Sequence, residues 1–225
     1  MRRFSPWRMP GDAKKAQSLI QRLCRSLHYI DRQIQYMEIS TPVRKKINHK
    51  ALIDLMQRAY SAEKAAAYAY QGHAGAVSDK DEKLAIKQIE MDEWHHREVV
   101  LGIMNQYNVP VSRYYEMQYA VIGKVISFSC YIIGWFMPFY FAGRLESGNV
   151  CEYFRMMQYF HELGILEHNQ ILYEMGIKEK EHEVYFLGQI KNKKLLPFFE
   201  RIFFCRKVCS LTEKSISGYS IYRFH

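Results

Sequence analysis

The sequence is poor in several features that mark particular classes of protein. Its five cysteines contain no Cys-x-x-Cys pair, which argues against a zinc finger or zinc ribbon. It lacks alternating apolar and polar runs bounded by Asn-Gly or Asp-Gly turns, which argues against a hairpin-built sheet. Residues 1–16 are basic but contain no apolar core of the kind that a secretory signal needs. These shortages favour a helical protein without structural zinc.

The composition is that of a folded globular chain with an excess of positive charge. Hydrophobic residues make up 48% of the 225 residues and charged residues 24%, which excludes a disordered chain. The 32 basic and 23 acidic residues give a net charge of +9, which favours an anionic partner. Anionic lipid and nucleic acid both satisfy this criterion, so charge alone does not distinguish them.

Helical periodicity divides the chain into two hairpins. Residues 48–74 and 81–107 form the first predicted pair of helices, and residues 146–163 and 165–192 form the second. The apolar, aromatic segment 111–144 connects them. This layout predicts an all-α protein, a four-helix bundle with one long crossover.

The same reading predicts three regions, with additional helices expected at the ends. Residues 1–47 form a basic N-terminal segment, residues 48–192 the bundle, and residues 193–225 a basic, aromatic tail. The tail alternates apolar and basic residues, which suits either contact with an anionic membrane surface or a helix that covers the end of the bundle. Cys205 and Cys209, four residues apart in the tail, are interpreted as ordinary thiols, with metal binding and acylation as alternatives.

Two Glu-x-x-His pairs provide the first chemical signal, Glu93 with His96 and Glu179 with His182. Residues three apart on a helix lie about one turn apart on one face, so each pair can bind one metal ion. Heptad steps from each pair give stripes that are otherwise almost entirely apolar: Ile86, Ile89, Val100, Ile103 and Tyr107 for the first, and Ile165, His168, Leu172, Met175 and Phe186 for the second. His168 is too far from Glu179 to be a predicted ligand.

Glu63 is a lone acid on an apolar stripe of the first helix. A buried carboxylate without a partner is costly unless a proton, a cation or a metal compensates it. Glu63 and Glu93 are 30 residues apart, and their midpoint is Ser78, inside the predicted turn. Two antiparallel helices would therefore bring these carboxylates to the same height.

The same arithmetic favours Glu152 as the acid of the third bundle helix. Its midpoint with Glu179 falls between Ile165 and Leu166, beside Gly164. Glu162 stays an alternative, although its midpoint with Glu179 falls where no turn is signalled and its stripe is polar. The predicted set is thus one Glu from each of two helices and a Glu-x-x-His from each of the other two, which is the pattern of di-iron and di-manganese carboxylate bundles.

At these residues the sequence resembles the demethoxyubiquinone hydroxylase family, over roughly residues 48–190. The resemblance is carried by Glu63 with Tyr70-Gln71-Gly72, by Glu93-Trp94-His95-His96 and by Glu179-Lys180-Glu181-His182. It implies a ferritin-like bundle in which Glu63, Glu93, His96, Glu179 and His182 are metal ligands and catalytic residues. The third-helix ligand, Glu152, is an inference from spacing and not part of the resemblance.

The resemblance also implies a reaction, cofactors and partners. The expected activity is O2-dependent hydroxylation of a quinone intermediate of ubiquinone biosynthesis, with two iron ions and an external reductant such as NADH. The quinone lipid implies association with the cytoplasmic face of the cell membrane, or with the matrix side of the inner mitochondrial membrane in a eukaryote. A homo-oligomer or a biosynthetic complex is compatible with this function, and no nucleic-acid partner is expected.

A membrane-seeking segment at about residues 118–143 is a further implication of the resemblance. Residues 125–143 are 19 residues without a charge, which just reaches the length of a membrane span. Gly134 and Pro138 interrupt the run, so an in-plane or re-entrant segment is favoured over a true span or a buried crossover helix.

Some alternatives remain open. Tyr70 and Tyr159 lie on the stripes of the predicted ligands, where they are either neighbours of the metal site or plain core aromatics. Competing functions are a ferritin-like oxidase acting on a modified tRNA base, a non-enzymatic ferritin-like protein for iron storage or peroxide removal, and a membrane-bound structural protein whose buried acids bind no metal.

Overall fold

The computed structural model describes residues 46–203, and this part of the chain contains six α-helices and no strand. The helices are α1 (Lys50–Ala76), α2 (Lys80–Gln106), α3 (Arg113–Ser129), α4 (Phe136–Glu162), α5 (Asn169–Ile190) and α6 (Leu196–Ile202). The predicted all-α class is confirmed. The N-terminal residues 1–45 and the tail from residue 204, with Cys205 and Cys209, lie outside the described residues.

The two predicted hairpins are present, and local signals fix their ends. The side chain of Asp79 caps α2 by accepting hydrogen bonds from the backbone N–H groups of Asp81 and Glu82. Gly164 follows α4 with a φ of +71°, a left-handed conformation that glycine adopts at little cost. The α1/α2 pair and the α4/α5 pair therefore form two helical hairpins of one bundle.

The apolar segment between the hairpins is not one continuous element. It is divided by a bend at residues 130–135, where Gly134 has a φ of +77°. After the bend, α4 begins at Phe136, ten residues before the predicted helix at 146, and buries Phe139 and Tyr140 in the core. No helix among residues 46–203 is both long enough and apolar enough to cross a membrane.

The crossover helix α3 packs closely against α1. A Cβ atom added at Gly123 would lie 2.7 Å from the Cα atom of Ala65, and one added at Gly72 would clash with the backbone of Ser127. Small residues at these two points allow the helix backbones to approach each other.

An ionic cluster fixes the N-terminal end of α3. The Glu116 carboxylate accepts hydrogen bonds from Ser61 (2.9 Å), Lys64 (2.7 Å) and both terminal nitrogens of Arg97 (2.9 and 2.8 Å). Partial burial would raise the pKa of Glu116, but these hydrogen bonds outweigh it and lower the pKa to about 2. Glu116 is therefore ionised at neutral pH and holds α3 against α1 and α2.

Two apolar clusters fill the bundle at either end of the four long helices. One contains Leu52, Met56, Val100, Met104, Met156, Phe160 and Leu172. The other contains Val77, Ile86, Phe139, Phe186 and Ile190. Each of the four helices carries buried polar residues between these clusters, so the bundle holds a polar layer within an apolar core.

Candidate metal centre

Six buried side chains, contributed by the middle of all four long helices, meet in this polar layer. One group consists of Glu63, Glu93, His96 and Glu179, and a second of Glu93, Glu146, Glu179 and His182, each with candidate ligand atoms within 4.8 Å of one another. The two groups share Glu93 and Glu179. We call these six residues the carboxylate–histidine cluster.

The structure corrects the assignment on the third bundle helix: Glu146 takes the position predicted for Glu152. Glu152 lies six residues further along α4, about 240° around the helix, and is half-buried with Arg58 and Arg155 as its charged neighbours. Glu162, the alternative, is exposed and accepts a hydrogen bond from Gln158 at 3.0 Å. Neither residue belongs to the cluster.

Glu146 was missed because the predicted helix began at that residue. With α4 starting at Phe136, Glu146 lies near the middle of a stripe that reads Phe139, Gly143, Glu146, Val150, Tyr153, Met157 and Phe160. A sequence signal did exist, since a tyrosine follows both Glu63 and Glu146 by seven residues. The apolar residues 136–143 concealed it because they were attributed to the membrane-seeking crossover.

Two buried tyrosines hold the outer carboxylates in a crossed arrangement. Tyr70 on α1 donates to Glu146 on α4, and Tyr153 on α4 donates to Glu63 on α1. Asn149 donates a further hydrogen bond of 3.0 Å to Glu146. The two hairpins thus contribute equivalent groups, each a Glu-x6-Tyr and a Glu-x2-His.

The two histidines also reach across between hairpins. His96 Nδ1 on α2 lies 2.8 Å from Glu179 Oε1 on α5, and His182 Nδ1 on α5 lies 3.1 Å from Glu93 Oε1 on α2. The second nitrogen of His182 lies 3.1 Å from Asp92 Oδ2. Asp92 thereby orients the His182 ring so that Nδ1 faces the cluster.

Burial and mutual repulsion make the four carboxylates chemically unequal. Burial, with the charges of neighbouring glutamates, raises the pKa values of Glu63, Glu93 and Glu146. Burial also disfavours the charged form of Glu179, but its close contacts with Glu146 and both histidines outweigh that effect and lower its pKa. For His96, burial lowers the pKa, and the contact with Glu179 more than reverses that effect. The protein alone therefore balances these charges only by taking up protons.

The donor atoms fit a metal ion. Among the described residues, buried polar atoms without a hydrogen-bond partner include Glu63 Oε2, both oxygens of Glu93 and of Glu179, His96 Nδ1 and His182 Nδ1. Orphaned buried acceptors are costly, and here they converge on one point. Carboxylate oxygens together with imidazole nitrogens form a donor set that suits iron and manganese.

A pocket of about 440 Å³ lies beside the cluster, between α1, α3 and the first half of α4. Its wall is almost entirely apolar, with four alanines of α1 leaving the space open: Ala62, Ala65, Ala66 and Ala69. Tyr70 and Asn149, which both bind Glu146, belong to the same wall. The pocket therefore approaches the cluster at its Glu146 side.

The remaining candidate residues lie away from the cluster. Tyr159 packs against His49 at 4.8 Å between ring centroids, so of the two tyrosines left open by the sequence only Tyr70 touches the cluster. His168 is buried near the end of the bundle, 2.7 Å from the Tyr107 hydroxyl, in agreement with its exclusion as a ligand.

The fold and the site define a helical bundle with a buried carboxylate–histidine cluster that could hold a metal ion. Comparison with protein-family models, with curated proteins and with solved structures found no match for this chain.

Proposed function

We propose that this chain is a ferritin-like di-iron monooxygenase that hydroxylates a membrane-embedded quinone intermediate, as in ubiquinone biosynthesis. The observation that carries the proposal is the composition of the cluster: four carboxylates and two imidazoles in two overlapping groups that share Glu93 and Glu179. Four carboxylates neutralise two divalent cations, which fits a pair of metal ions better than a single one.

Each cluster residue has a distinct part in this proposal. Glu93 and Glu179 belong to both groups and would help to hold both ions. Glu63 and His96 would complete one coordination sphere, and Glu146 and His182 the other. Tyr70 and Tyr153 would orient the two outer carboxylates, and Asp92 would orient His182.

The chemistry of hydroxylation balances as substrate C–H plus O2, two electrons and two protons, giving C–OH and water. When bound, a pair of ferrous ions supplies redox chemistry and open coordination positions for O2, and a reduced nicotinamide or a redox protein supplies the electrons. The chain itself positions the ligands and excludes water, since apolar clusters close the polar layer on both sides.

The apolar pocket supports a hydrophobic substrate. Its alanine-rich wall can accept an apolar molecule, and its contact with Tyr70 and Asn149 directs one end of that molecule toward Glu146. A tRNA nucleotide has a polar base and a charged phosphate, so this wall favours the quinone over the nucleic-acid alternative.

The outer face of α3 supports association with a membrane surface. Six large apolar side chains at helical spacing, five on α3 and one just beyond it, are between 58% and 71% exposed: Tyr114, Met117, Val121, Val125, Phe128 and Ile132. A stripe of this kind on a protein of net charge +9 fits an amphipathic helix lying in an anionic interface. The same helix lines the pocket, so a substrate dissolved in the bilayer would lie close to it.

Iron loading tests the proposal directly. The full-length protein, purified in detergent and loaded anaerobically with ferrous iron, should retain about two irons per chain. Glu146→Ala should reduce the iron content severely, whereas Glu152→Ala, a matched change on the same helix outside the cluster, should leave it unchanged.

Activity is measured on the loaded protein with a demethoxy-quinone, reduced nicotinamide and isotopically labelled O2. Incorporation of one labelled oxygen atom into the quinone is the expected result. Iron at background level, or equal losses in the two variants, would contradict the metal centre. Full iron loading without labelled product would contradict hydroxylation of a quinone but would still support the metal site.

A further inference from the structure

The pocket wall contains one buried polar side chain that has no evident structural purpose. His73 lies on α1, one turn beyond Tyr70, where it lines the pocket, and only 2% of its surface is exposed. Its Nε2 atom has no hydrogen-bond partner among the described residues. The imidazole ring packs against the rings of Phe139 and Phe186, at 4.5 Å and 5.7 Å between ring centroids.

A buried imidazole nitrogen without a hydrogen-bond partner is costly, because it has lost its hydrogen bond to water. The equivalent position in the other hairpin shows how the fold fills this place when packing is the sole requirement. Tyr153 is the counterpart of Tyr70, and the residue three positions later is Met156, which is fully buried in the apolar core. In the pocket wall, a histidine occupies the position at which a methionine would satisfy the packing.

We propose that His73 is a specificity-determining residue, whose imidazole hydrogen-bonds an uncharged carbonyl or hydroxyl oxygen of an otherwise apolar ligand in the pocket. The described part of the wall offers such an oxygen few other partners: the side chains of Tyr70, Tyr119, Ser129 and Asn149, and the thiol of Cys130, which contacts the Ala69 carbonyl. Tyr70 and Asn149 are already engaged with Glu146. Identification of the ligand as a quinone rests on the proposed function.

The protonation state of His73 fits a neutral ligand. Burial lowers the pKa of His73 to about 4, so the imidazole is uncharged at neutral pH. A neutral imidazole offers one N–H donor and one acceptor nitrogen, which can serve a carbonyl or a hydroxyl group. It offers no charge to an anion, which excludes phosphates and carboxylates as its preferred partners.

The test compares two probes with the same decyl chain and a six-membered ring, decyl-benzoquinone, which has two carbonyl oxygens, and decylbenzene, which has none, by calorimetric titration of the full-length protein. His73→Met introduces the residue of the equivalent position and should weaken quinone binding about tenfold, the effect of one lost hydrogen bond. Binding of decylbenzene should stay the same or tighten. His73→Gln retains hydrogen-bonding groups and should recover most of the quinone affinity.

Other results would overturn the inference. Equal weakening of both probes by His73→Met would show that the residue only shapes the pocket. Unchanged quinone binding, or a wild-type protein that binds neither probe, would exclude ligand recognition by His73. Iron content serves as the independent readout: it should be unaffected by His73→Met, and a failure of iron loading with normal quinone selectivity would overturn the proposed function but not this inference.

Discussion

At the scale of single residues, the cluster reverses the usual relation between a buried side chain and stability. Glu93 is completely buried, and neither of its oxygens has a hydrogen-bond partner among the described residues. Burial and the charges of Glu179, Glu146 and Glu63 raise its pKa well above the usual range. Folding of the metal-free chain at neutral pH must therefore protonate this group or bear its repulsion.

Glu93→Gln should consequently stabilise the protein after its metal is removed by a chelator. A carboxyl whose pKa is raised by folding favours the folded state below its unfolded pKa of about 4.5, and this advantage disappears as the pH rises. The variant should gain on the order of 1–2 kcal/mol in free energy of unfolding at pH 7 and nothing at pH 4. Urea denaturation at both pH values measures it. A loss at pH 7 would indicate that Glu93 is a structural partner of His182 and not a metal ligand.

Members of the cluster were predictable from the sequence where an acid or a histidine was the only polar residue on an otherwise apolar stripe of a helix. Glu63, Glu93, His96, Glu179 and His182 are brought together as that rule expected. Asp92 could not be found in this way, because a residue that binds the outer side of a histidine lies on a polar face and resembles any solvated acid.

At the scale of helices, close backbone contact determines where α3 lies. Gly123 meets backbone atoms of Ala65, which cannot move aside as a flexible side chain can. Gly102, by contrast, is an exposed position within α2 with nothing within 4 Å of an added Cβ.

The same substitution should therefore have opposite effects at these two glycines. Gly123→Ala should lower the free energy of unfolding by about 2 kcal/mol, because the added methyl group overlaps a backbone. Gly102→Ala should raise it by about 0.5–1 kcal/mol, because alanine restricts the unfolded chain and favours the helix. Chemical denaturation of both variants measures the difference, and a shift of the same sign in both would contradict the close packing of α3 on α1.

Helix boundaries were predictable where turn residues marked them and were misplaced where they did not. The α1/α2 turn agrees with the sequence because Asp79 supplies a cap. The start of α4 was misplaced because no capping residue precedes it and its first turns are as apolar as the bend before them. Burial in the second apolar cluster, a tertiary property, is what makes residues 136–143 helical.

At the scale of the whole molecule, the exposed face of α3 is a candidate for contact with a membrane, since apolar stripes of this length are uncommon on monomeric proteins. Co-sedimentation with phosphatidylglycerol vesicles should show binding of the wild-type protein. Val121→Asp combined with Val125→Asp should abolish most of it, since both side chains are exposed and their replacement leaves the core intact.

Leu84→Asp provides the matched control, because Leu84 is 66% exposed on α2, away from this stripe. It should bind vesicles as the wild type does. Equal binding by all three proteins would assign membrane attachment to another part of the chain. The sequence predicted an apolar, membrane-seeking region, but the fold alone separates its exposed half on α3 from its buried half on α4.

The crossed pairing of the hairpins has a consequence for how such a chain can arise. Four contacts of the cluster form two equivalent pairs: Tyr70 with Glu146 and Tyr153 with Glu63, and His96 with Glu179 and His182 with Glu93. A single hairpin carrying Glu-x6-Tyr and Glu-x2-His would therefore supply the full set of groups as a symmetric dimer. Gene duplication and fusion through α3 would then free the two halves to diverge, one keeping a filled interior and the other acquiring a pocket.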